Sequence, residues 1–315
     1  IKSMAQRLNF DSADFSETFE RLLGSKREAD SDVHDTVAGI IADVRARGDN
    51  ALLALTAKYD GLTADCVDEL AISSDRLHAA LDGLDDELRH ALQLAATRIQ
   101  AFHEKQRPDG FSFTDDSGVR LSMRHSPVDA AGLYVPGGKA AYPSSVLMNA
   151  IPAMVAGVKR RVMVVPARDG EVNDLVLAAA ALAGVTEVWR IGGAQAVAAL
   201  AYGTQTIAQV DKIVGPGNAF VAAAKRQVFG QVGIDSIAGP SEILVVADAN
   251  NDPAWIAADL LSQAEHDEAA QSILITDDVA FADAVDEAVT KILPTLERAA
   301  VAGQSWRDNG AIITR

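Results

Sequence analysis

The chain has 315 residues, of which 49% are hydrophobic and 23% are charged, and its formal net charge is −16. This length and composition predict a soluble protein of about two domains with ample apolar cores. The negative charge argues against a nucleic-acid partner. No apolar run approaches the roughly 18 residues of a membrane span, and no signal-peptide core is found near the start. The single cysteine, Cys66, excludes an internal disulfide and favours a reducing compartment, so a cytoplasmic location is expected.

The first third of the chain is predicted to be mainly helical. Apolar residues recur at helical spacing from Val37 to Val44, and Gly48 is expected to end that helix. Another helix is expected over residues 85–103. Its predicted inward stripe consists of Leu88, Leu92, Leu94, Ile99 and Phe102. Residues 111–122 have the pattern of a small β-hairpin with Gly118 in its turn.

From residue 128 onward, short apolar runs alternate with glycine turns and helical segments. The predicted strands are 132–135, 162–165, 187–191 and 212–214, and each is followed by a predicted helix. This strand–helix alternation is typical of a doubly wound parallel sheet, in which ligands bind at the carboxyl ends of the strands.

The glycine turns of this region are candidate nucleotide-binding turns. They let backbone N–H groups approach an anion, and Tyr134, Gln195 and Asn218 lie in or near them. No strict G-x-G-x-x-G motif is present, because Phe220 stands where the third glycine would be. The alternative interpretation is that the glycines only close turns and that Gln195 and Asn218 cap helices.

Polar residues near the end of the next segment suggest a second candidate site. The Gly239-Pro240 turn precedes residues 243–246, which are predicted to form a buried parallel strand. A helix should then begin at Asp252-Pro253. Near its end, Gln263 and His266 are three residues apart and could share a face, but zinc normally has four ligands. The alternative is that both are ordinary solvated polar residues.

Several long segments resemble the zinc- and NAD-dependent histidinol dehydrogenase family. They are GLYVPGG, IGGAQA, GPGNAF, IDSIAGPSEILVVAD and DLLSQAEH. The resemblance implies an α/β fold with two Rossmann-like, doubly wound parallel-sheet domains of the aldehyde-dehydrogenase kind and a helical N-terminal part. The expected division is an arm over 1–27, a discontinuous domain made of 28–130 and 240–315, and a Rossmann-like domain over 131–239.

The same resemblance implies a reaction and the residues that serve it. The reaction is the NAD-dependent, four-electron oxidation of L-histidinol to L-histidine through histidinaldehyde, the last step of histidine biosynthesis. By resemblance, Tyr134, Gln195 and Asn218 would contact NAD. Ser241, Gln263 and His266 would contact L-histidinol, and the last two would also bind zinc. A homodimer without membrane or nucleic-acid partners is expected.

The resemblance also implies that the catalytic pair is absent from this sequence. Family members continue past the position of Arg315, and their catalytic Glu-His pair lies in that later part. No catalytic residue is therefore assigned within the chain, and the chain as written is expected to lack full activity. Residues 311–314 are predicted to be a strand.

Two alternatives of other classes remain at this point. The first is an aldehyde-dehydrogenase-like oxidoreductase with an activated cysteine nucleophile. Cys66 fits that role poorly, because Asp65, Asp68 and Glu69 surround it and disfavour a thiolate. The second alternative is a non-catalytic nucleotide-binding module.

Overall fold

A computed structural model describes residues 5–24, 30–137, 142–237 and 241–315. Within these ranges the α-helices are α1 (Phe15–Gly24), α2 (Asp30–Arg47), α3 (Asp49–Asp60), α4 (Ser74–Asp82), α5 (Asp86–Glu104), α6 (Pro143–Ala156), α7 (Asp174–Leu182), α8 (Gly193–Tyr202), α9 (Ala219–Val228), α10 (Pro253–Ala264), α11 (Val279–Ile292) and α12 (Ala299–Asn309). The strands are β1 (Gln6–Asn9), β2 (Ala71–Ile72), β3 (Phe111–Thr114), β4 (Arg120–Met123), β5 (Ala130–Tyr134), β6 (Arg160–Val164), β7 (Glu187–Trp189), β8 (Lys212–Val214), β9 (Gly233–Ile234), β10 (Glu242–Val246), β11 (Gln271–Thr276) and β12 (Ala311–Thr314).

The chain divides into two compact units. The central unit is Asp32–Ile237, and the terminal unit combines Ile1–Ser31 with Ala238–Arg315. This division differs from the predicted one, which grouped residues 28–130 with 240–315. The physical reason is that β2 pairs with β7, α3 packs on α8, and α4 packs on α7. These contacts join most of the first third to the central sheet.

The central unit contains a six-stranded sheet in the order β2-β7-β6-β5-β8-β9. Its neighbours from β7 to β9 pair in parallel, and only β2 runs antiparallel, at one edge. Since β5 is the first parallel strand, with β6 on one side and β8 on the other, the winding direction changes between β5 and β8. The predicted doubly wound sheet is thus confirmed, with its switch point at the end of β5.

Alternating side chains of the central strands fill two apolar cores on opposite faces of the sheet. Tyr134 and Val164 belong to the core that includes α2, α3, α8 and α9, whereas Leu133 and Met163 belong to the core with α4 to α7. This alternation follows from the period of two along a strand. Helices on both faces explain why these strands are almost continuously apolar.

Two local predictions for the first third have different outcomes. The hairpin is confirmed, because β3 and β4 pair with Phe111 opposite Met123. The predicted helix at 85–103 is also present as α5, but its inward stripe was largely wrong. Leu92 is buried and Ile99 packs against the core, whereas Leu88, Leu94 and Phe102 are exposed. Smaller residues, Ala95 and Ala96, help to pack the helix against the core instead.

The terminal unit contains a parallel sheet in the order β1-β12-β11-β10. Helices α10, α11 and α12 form its main core, and α1 contributes Leu22 to a smaller core with Leu8 and Ile313. The predicted strand at 311–314 is confirmed as β12. Strand β1 was not predicted, and it contributes by pairing with β12.

The predicted buried strand at 243–246 forms, but its burial was wrong. β10 lies at the edge of the sheet within the described residues, and its outer face leaves Leu244 59% and Val246 73% exposed. The helix that follows begins as predicted, since the Asp252 side chain accepts a hydrogen bond of 2.8 Å from the Ala254 N–H and Pro253 occupies the first turn. The Gly239-Pro240 turn lies outside the described residues.

Candidate functional site

The three predicted cofactor residues lie at the carboxyl edge of the central sheet. Tyr134 is the last residue of β5, Gln195 is in the first turn of α8 after β7, and Asn218 immediately precedes α9 after β8. Parallel strands bring their carboxyl ends to one edge, so the sheet gathers these three positions from three separate connections.

Tyr134 is buried, and its phenol oxygen has a defined partner. Its side chain is only 3% exposed, and its hydroxyl oxygen accepts a hydrogen bond of 2.9 Å from the N–H of Gly193. Burial raises the pKa of Tyr134 well above its ordinary value, the Gly193 hydrogen bond lowers it in part, and the nearby Asp60 carboxylate raises it further. The hydroxyl therefore stays protonated at neutral pH and keeps its hydrogen as a donor.

Gln195 does not cap its helix. Gly192 is the N-cap residue of α8, and the Gln195 side chain is buried, with 1% exposed. Its amide nitrogen Nε2 is inaccessible and has no hydrogen-bond partner among the described residues. The capping alternative is thus wrong for Gln195. A buried donor without a partner is costly, and in a turn of this kind it is what a missing ligand would leave behind.

Asn218 is a helix cap, as the alternative interpretation predicted. Its side-chain oxygen accepts a hydrogen bond of 3.1 Å from the Val221 N–H at the start of α9. The residue is exposed, and its amide nitrogen still offers two donors. Capping therefore occupies the oxygen of Asn218 and leaves the nitrogen for another role.

An ion pair formed by a buried lysine, which sequence analysis missed, holds the turn before Asn218. The Lys225 side chain, 2% exposed, binds the Asp235 carboxylate and donates a hydrogen bond of 3.0 Å to the Gly215 carbonyl. Asp235 in turn accepts a hydrogen bond of 2.8 Å from the Gly215 N–H. Both backbone groups of Gly215 are thus satisfied by one charge pair. A separation of ten residues between Lys225 and Asp235 matches neither helical nor strand spacing, so the sequence contains no signal for this pair.

Asp60 is a further residue that sequence analysis missed. It is the last residue of α3, and the Gly192 N–H lies near enough to its carboxylate to lower the pKa of that group in part. One carboxylate oxygen, Oδ2, is buried without a partner in the described part of the chain. Burial raises the pKa of Asp60 above its ordinary value, although the Gly192 N–H and the Arg168 guanidinium act in the opposite direction.

The predicted substrate residues occur in the terminal unit, at the amino edge of its sheet. Ser241 precedes β10, and its carbonyl accepts a hydrogen bond of 3.0 Å from the N–H of Gln271, the first residue of β11. Gln263 lies in the last turn of α10, and His266 lies in the connection from α10 to β11. Helices of such a sheet run antiparallel to the strands, so the end of α10 returns to the amino edge.

The local geometry around His266 differs slightly from the predicted helical face. α10 ends at Ala264, and the His266 N–H donates a 3.2 Å hydrogen bond to the Gln263 carbonyl in a turn beyond the helix. Arg298 donates a 3.0 Å hydrogen bond to the His266 carbonyl. Ser241 and His266 are exposed and Gln263 is half-buried. The backbone is therefore fixed while the His266 imidazole stays accessible.

Comparison with known proteins identifies the family. A sequence model of the histidinol dehydrogenase family matches residues 24–315. The chain belongs to the histidinol dehydrogenase family. It is 66% identical over 310 residues to the histidinol dehydrogenase of Rhodospirillum rubrum, an alignment that covers 98% of this chain and 71% of that relative. The enzyme of Ruegeria pomeroyi is 64% identical over 311 residues, covering 99% and 72%.

A solved structure agrees with this family membership. The crystal structure of histidinol dehydrogenase from Elizabethkingia anophelis matches with a TM-score of 0.85 and 35% identity. The match covers 98% of this chain and 70% of that one. The predicted α/β fold with parallel sheets and the assignment as an enzyme of the histidinol dehydrogenase type are thereby confirmed.

The metal chemistry implied by histidinol dehydrogenase family membership needs more donors than the described residues bring together. Gln263 and His266 supply at most two. No group of three or more His, Cys, Asp or Glu side chains with metal-binding geometry occurs in the ranges that the structure describes. These residues do not by themselves form a complete zinc site.

The alternative of an aldehyde-dehydrogenase-like enzyme with a cysteine nucleophile is less well supported than a dinucleotide site at the carboxyl edge of the central sheet. Cys66 is exposed at the start of the short 3₁₀ turn Val67–Leu70. It is not a residue of the carboxyl-edge turns that carry Tyr134, Gln195 and Asn218.

Among the described residues, no helix is long and apolar enough to cross a membrane.

Proposed function

We propose that this chain serves the NAD-dependent oxidation of L-histidinol to L-histidine through histidinaldehyde, as a cytoplasmic homodimer that also uses zinc. The observation that carries the proposal is 66% identity to a histidinol dehydrogenase over 98% of the chain. The unpartnered Nε2 of Gln195 supports it, because a cofactor at the Gly192–Gly193 turn would supply the missing acceptor.

The proposed oxidation of L-histidinol determines what the site must provide. When bound, NAD accepts the hydride that leaves carbon, and oxidation of a primary alcohol to a carboxylate removes two hydrides and adds one water. The substrate carbon must therefore be held in one place through both oxidations, while the protons lost from oxygen need a base. None of the described residues is assigned as that base.

The residues of the central unit would bind the cofactor by hydrogen bonds. Tyr134 offers its hydroxyl hydrogen, Gln195 its buried Nε2, and Asn218 the amide nitrogen that capping leaves unused. Because the strand ends and helix caps fix all three backbones, little conformational entropy would be lost on binding.

The residues of the terminal unit would bind L-histidinol. Ser241, Gln263 and His266 lie at one edge of the sheet, and Gln263 and His266 supply an amide oxygen and an imidazole as two of the four ligands of a zinc ion. We propose that tight zinc binding requires ligands in addition to these two. The 315-residue chain should then lose zinc on dialysis, whereas a longer family member should retain it.

NADH formation from L-histidinol, with and without a chelator, tests the proposed reaction. The Rhodospirillum rubrum relative should be active and inhibited by the chelator, and any activity of this chain should fall with the chelator as well. Direct titration of this chain with NAD separates cofactor binding from turnover. Full activity of the chain that a chelator leaves unchanged would contradict the proposed use of zinc.

Gln195→Met tests the cofactor assignment without a large change in side-chain volume. Loss of the donor should weaken NAD binding about tenfold, since one hydrogen bond in a buried site is worth about that factor. The free energy of unfolding should not fall, because the donor has no partner in the free protein. A variant with unchanged NAD affinity would remove Gln195 from the cofactor site.

A further inference from the structure

Three segments of the central unit meet at the ammonium group of Lys225. This residue lies on α9, about two helical turns after the N-cap residue Asn218, and its side chain is 2% exposed. The ammonium group donates a 3.0 Å hydrogen bond to the Gly215 carbonyl and binds the carboxylate of Asp235, which follows β9. Because a buried charge is costly without fixed partners, these contacts tie together the β8–α9 turn, α9 and the chain after β9.

The Asp235 carboxylate uses both of its oxygens in this connection. Its Oδ2 accepts a 2.8 Å hydrogen bond from the Gly215 N–H. Its Oδ1, which binds Lys225, also accepts a 2.7 Å hydrogen bond from the Ser236 N–H. The N–H of Asp235 itself donates a 3.2 Å hydrogen bond to the Ile213 carbonyl of β8. The carboxylate is therefore oriented from its own backbone, and it fixes Gly215 relative to the sheet.

Gly215 transmits this anchoring to two of the candidate cofactor residues. It has φ +112°, and a Cβ added to it would lie 2.1 Å from the Tyr134 carbonyl oxygen, so its backbone packs directly on that of Tyr134. Three residues later, the side-chain oxygen of Asn218 caps α9. Capping fixes the Asn218 carboxamide to the helix, and Lys225 fixes the helix to the turn. The direction in which the Asn218 amide nitrogen points therefore depends on the ion pair.

Folding stability alone does not explain a lysine at this buried position. An apolar side chain of similar size would often stabilise a fold as well as a buried charge does, because the charge must first be desolvated. An apolar side chain could not hold the carbonyl of Gly215 or orient the carboxylate that holds its N–H. The pair therefore fits a requirement for a defined position of the turn.

We propose that Lys225 and Asp235 are positioning residues of the cofactor site, which hold the 215–218 turn so that the Asn218 amide donates a hydrogen bond to NAD. The inference rests on the proposed use of NAD and adds two residues that do not themselves touch the cofactor. Because the pair acts through Asn218, its loss and the loss of the Asn218 amide should not add in their effect on NAD affinity.

A double-mutant cycle on the 315-residue chain tests this role, with NAD affinity measured by titration calorimetry. Asn218→Ala and Lys225→Met should each weaken NAD binding about tenfold, since one hydrogen bond in the site is worth about that factor. The double variant should also bind NAD about tenfold more weakly than the unaltered chain, whereas independent effects would multiply to about a hundredfold. Asp235→Asn, which keeps the side-chain size, takes the place of Lys225→Met in the cycle if that variant is poorly folded.

Leu77→Ala is the matched control for a loss of stability. Leu77 is buried in the apolar core on the other face of the central sheet, so its truncation should lower the free energy of unfolding and leave NAD affinity unchanged. A loss of NAD affinity in Leu77→Ala equal to that in Lys225→Met would assign the effect to stability and overturn the positioning role.

The remaining outcomes separate the positioning role from the use of NAD. Unchanged NAD affinity in both Lys225→Met and Asp235→Asn, or a loss of about a hundredfold in the double variant, would overturn the positioning role alone. If the unaltered chain does not bind NAD, the proposed use of NAD fails together with this inference.

Discussion

The candidate residues of the central unit lie at the carboxyl edge of its sheet, whereas those of the terminal unit lie at the amino edge of its own sheet. In the central unit, Tyr134, Gln195 and Asn218 follow the carboxyl ends of three strands, as the doubly wound topology predicts. In the terminal unit, Ser241, Gln263 and His266 lie at the amino ends of β10 and β11. The rule that ligands bind at the carboxyl ends of parallel strands therefore agrees with the candidate cofactor residues and not with the candidate substrate residues.

The two edges also differ in how strongly the fold constrains their side chains. The central edge contains buried residues, an ion pair with a buried lysine and a capped helix, whereas the terminal edge has an exposed histidine and an exposed serine. Changes to the hydrogen-bonded or closely packed groups of the central edge should therefore cost folding stability as well as affinity. Changes at the terminal edge should alter ligand binding with little effect on stability.

Gly215→Ala should have the largest effect. Gly215 has φ +112°, and an added Cβ would lie 2.1 Å from the Tyr134 carbonyl oxygen. Steric overlap and the left-handed backbone together should cost about 4 kcal/mol of unfolding free energy. Gly230→Ala is the control, with φ +102° and no atom within 4 Å, and should cost about 1 to 2 kcal/mol. Urea denaturation measures both, and equal losses would show that close packing at Gly215 is unimportant.

Lys225→Met should come next. The substitution leaves the Asp235 carboxylate without its buried partner and frees the Gly215 carbonyl, at a cost of about 3 kcal/mol. Lys212→Met, at an exposed position on β8, should change the unfolding free energy by about 0.5 kcal/mol or less. Thermal or urea unfolding of the two variants gives the comparison. A small loss for Lys225→Met would mean that the pair does not hold the turn.

The same pair should make the protein sensitive to acid. Burial by itself would raise the pKa of Asp235, but hydrogen bonds from Lys225 and from the N–H groups of Gly215 and Ser236 outweigh it, so the pKa is lowered. A carboxyl group of this kind stabilises the folded state above its unfolded pKa, and the stabilisation is lost as the pH falls toward the folded pKa. Unfolding free energy should therefore decline below about pH 4.

Urea denaturation at several pH values tests this dependence. The double variant Lys225→Met/Asp235→Asn should show a shallower decline below about pH 4, because it lacks the carboxyl group that titrates. Parallel curves for the two proteins would assign the acid sensitivity to other carboxylates.

Asn218→Ala should have a moderate effect, with separate contributions to folding stability and to cofactor binding. Loss of the N-cap should cost about 1 kcal/mol, and loss of the amide should raise the KM for NAD in an active, longer family member. Asn218→Ser keeps a capping oxygen, so it should restore stability without restoring the KM. If serine restores both, Asn218 acts only as a cap and the cofactor contact is wrong.

His266→Asn should have the smallest effect on stability and a clear effect on metal binding. The residue is exposed, so the unfolding free energy should change by about 0.5 kcal/mol or less. Zinc affinity, measured by competition with a coloured chelator, should fall because an imidazole ligand is lost. His125→Asn, at another exposed histidine, should leave zinc affinity unchanged. A large loss of stability in His266→Asn would contradict the contrast between the two edges.

Local signals predicted those elements whose structure depends mainly on nearby residues. The alternation of apolar runs and glycine turns located β5 to β8 and their helices, and Asp252-Pro253 located the start of α10. The predictions for α5 and β10 failed in burial, because exposure of Leu88 or Val246 depends on which elements lie opposite. The same reason explains why β1 was not predicted, since its place in the sheet depends on pairing with β12.

By itself the sequence determined the family, the α/β class and the positions of Tyr134, Gln195 and Asn218 along the chain, because motifs and periodicity are local properties. Only the tertiary structure brought Asp60 to the Gly192 N–H, paired Lys225 with Asp235, and showed that Asn218 is a cap and Gln195 a buried donor without a partner. Those contacts join residues from different strands and helices, and their energies depend on burial, which no local pattern encodes.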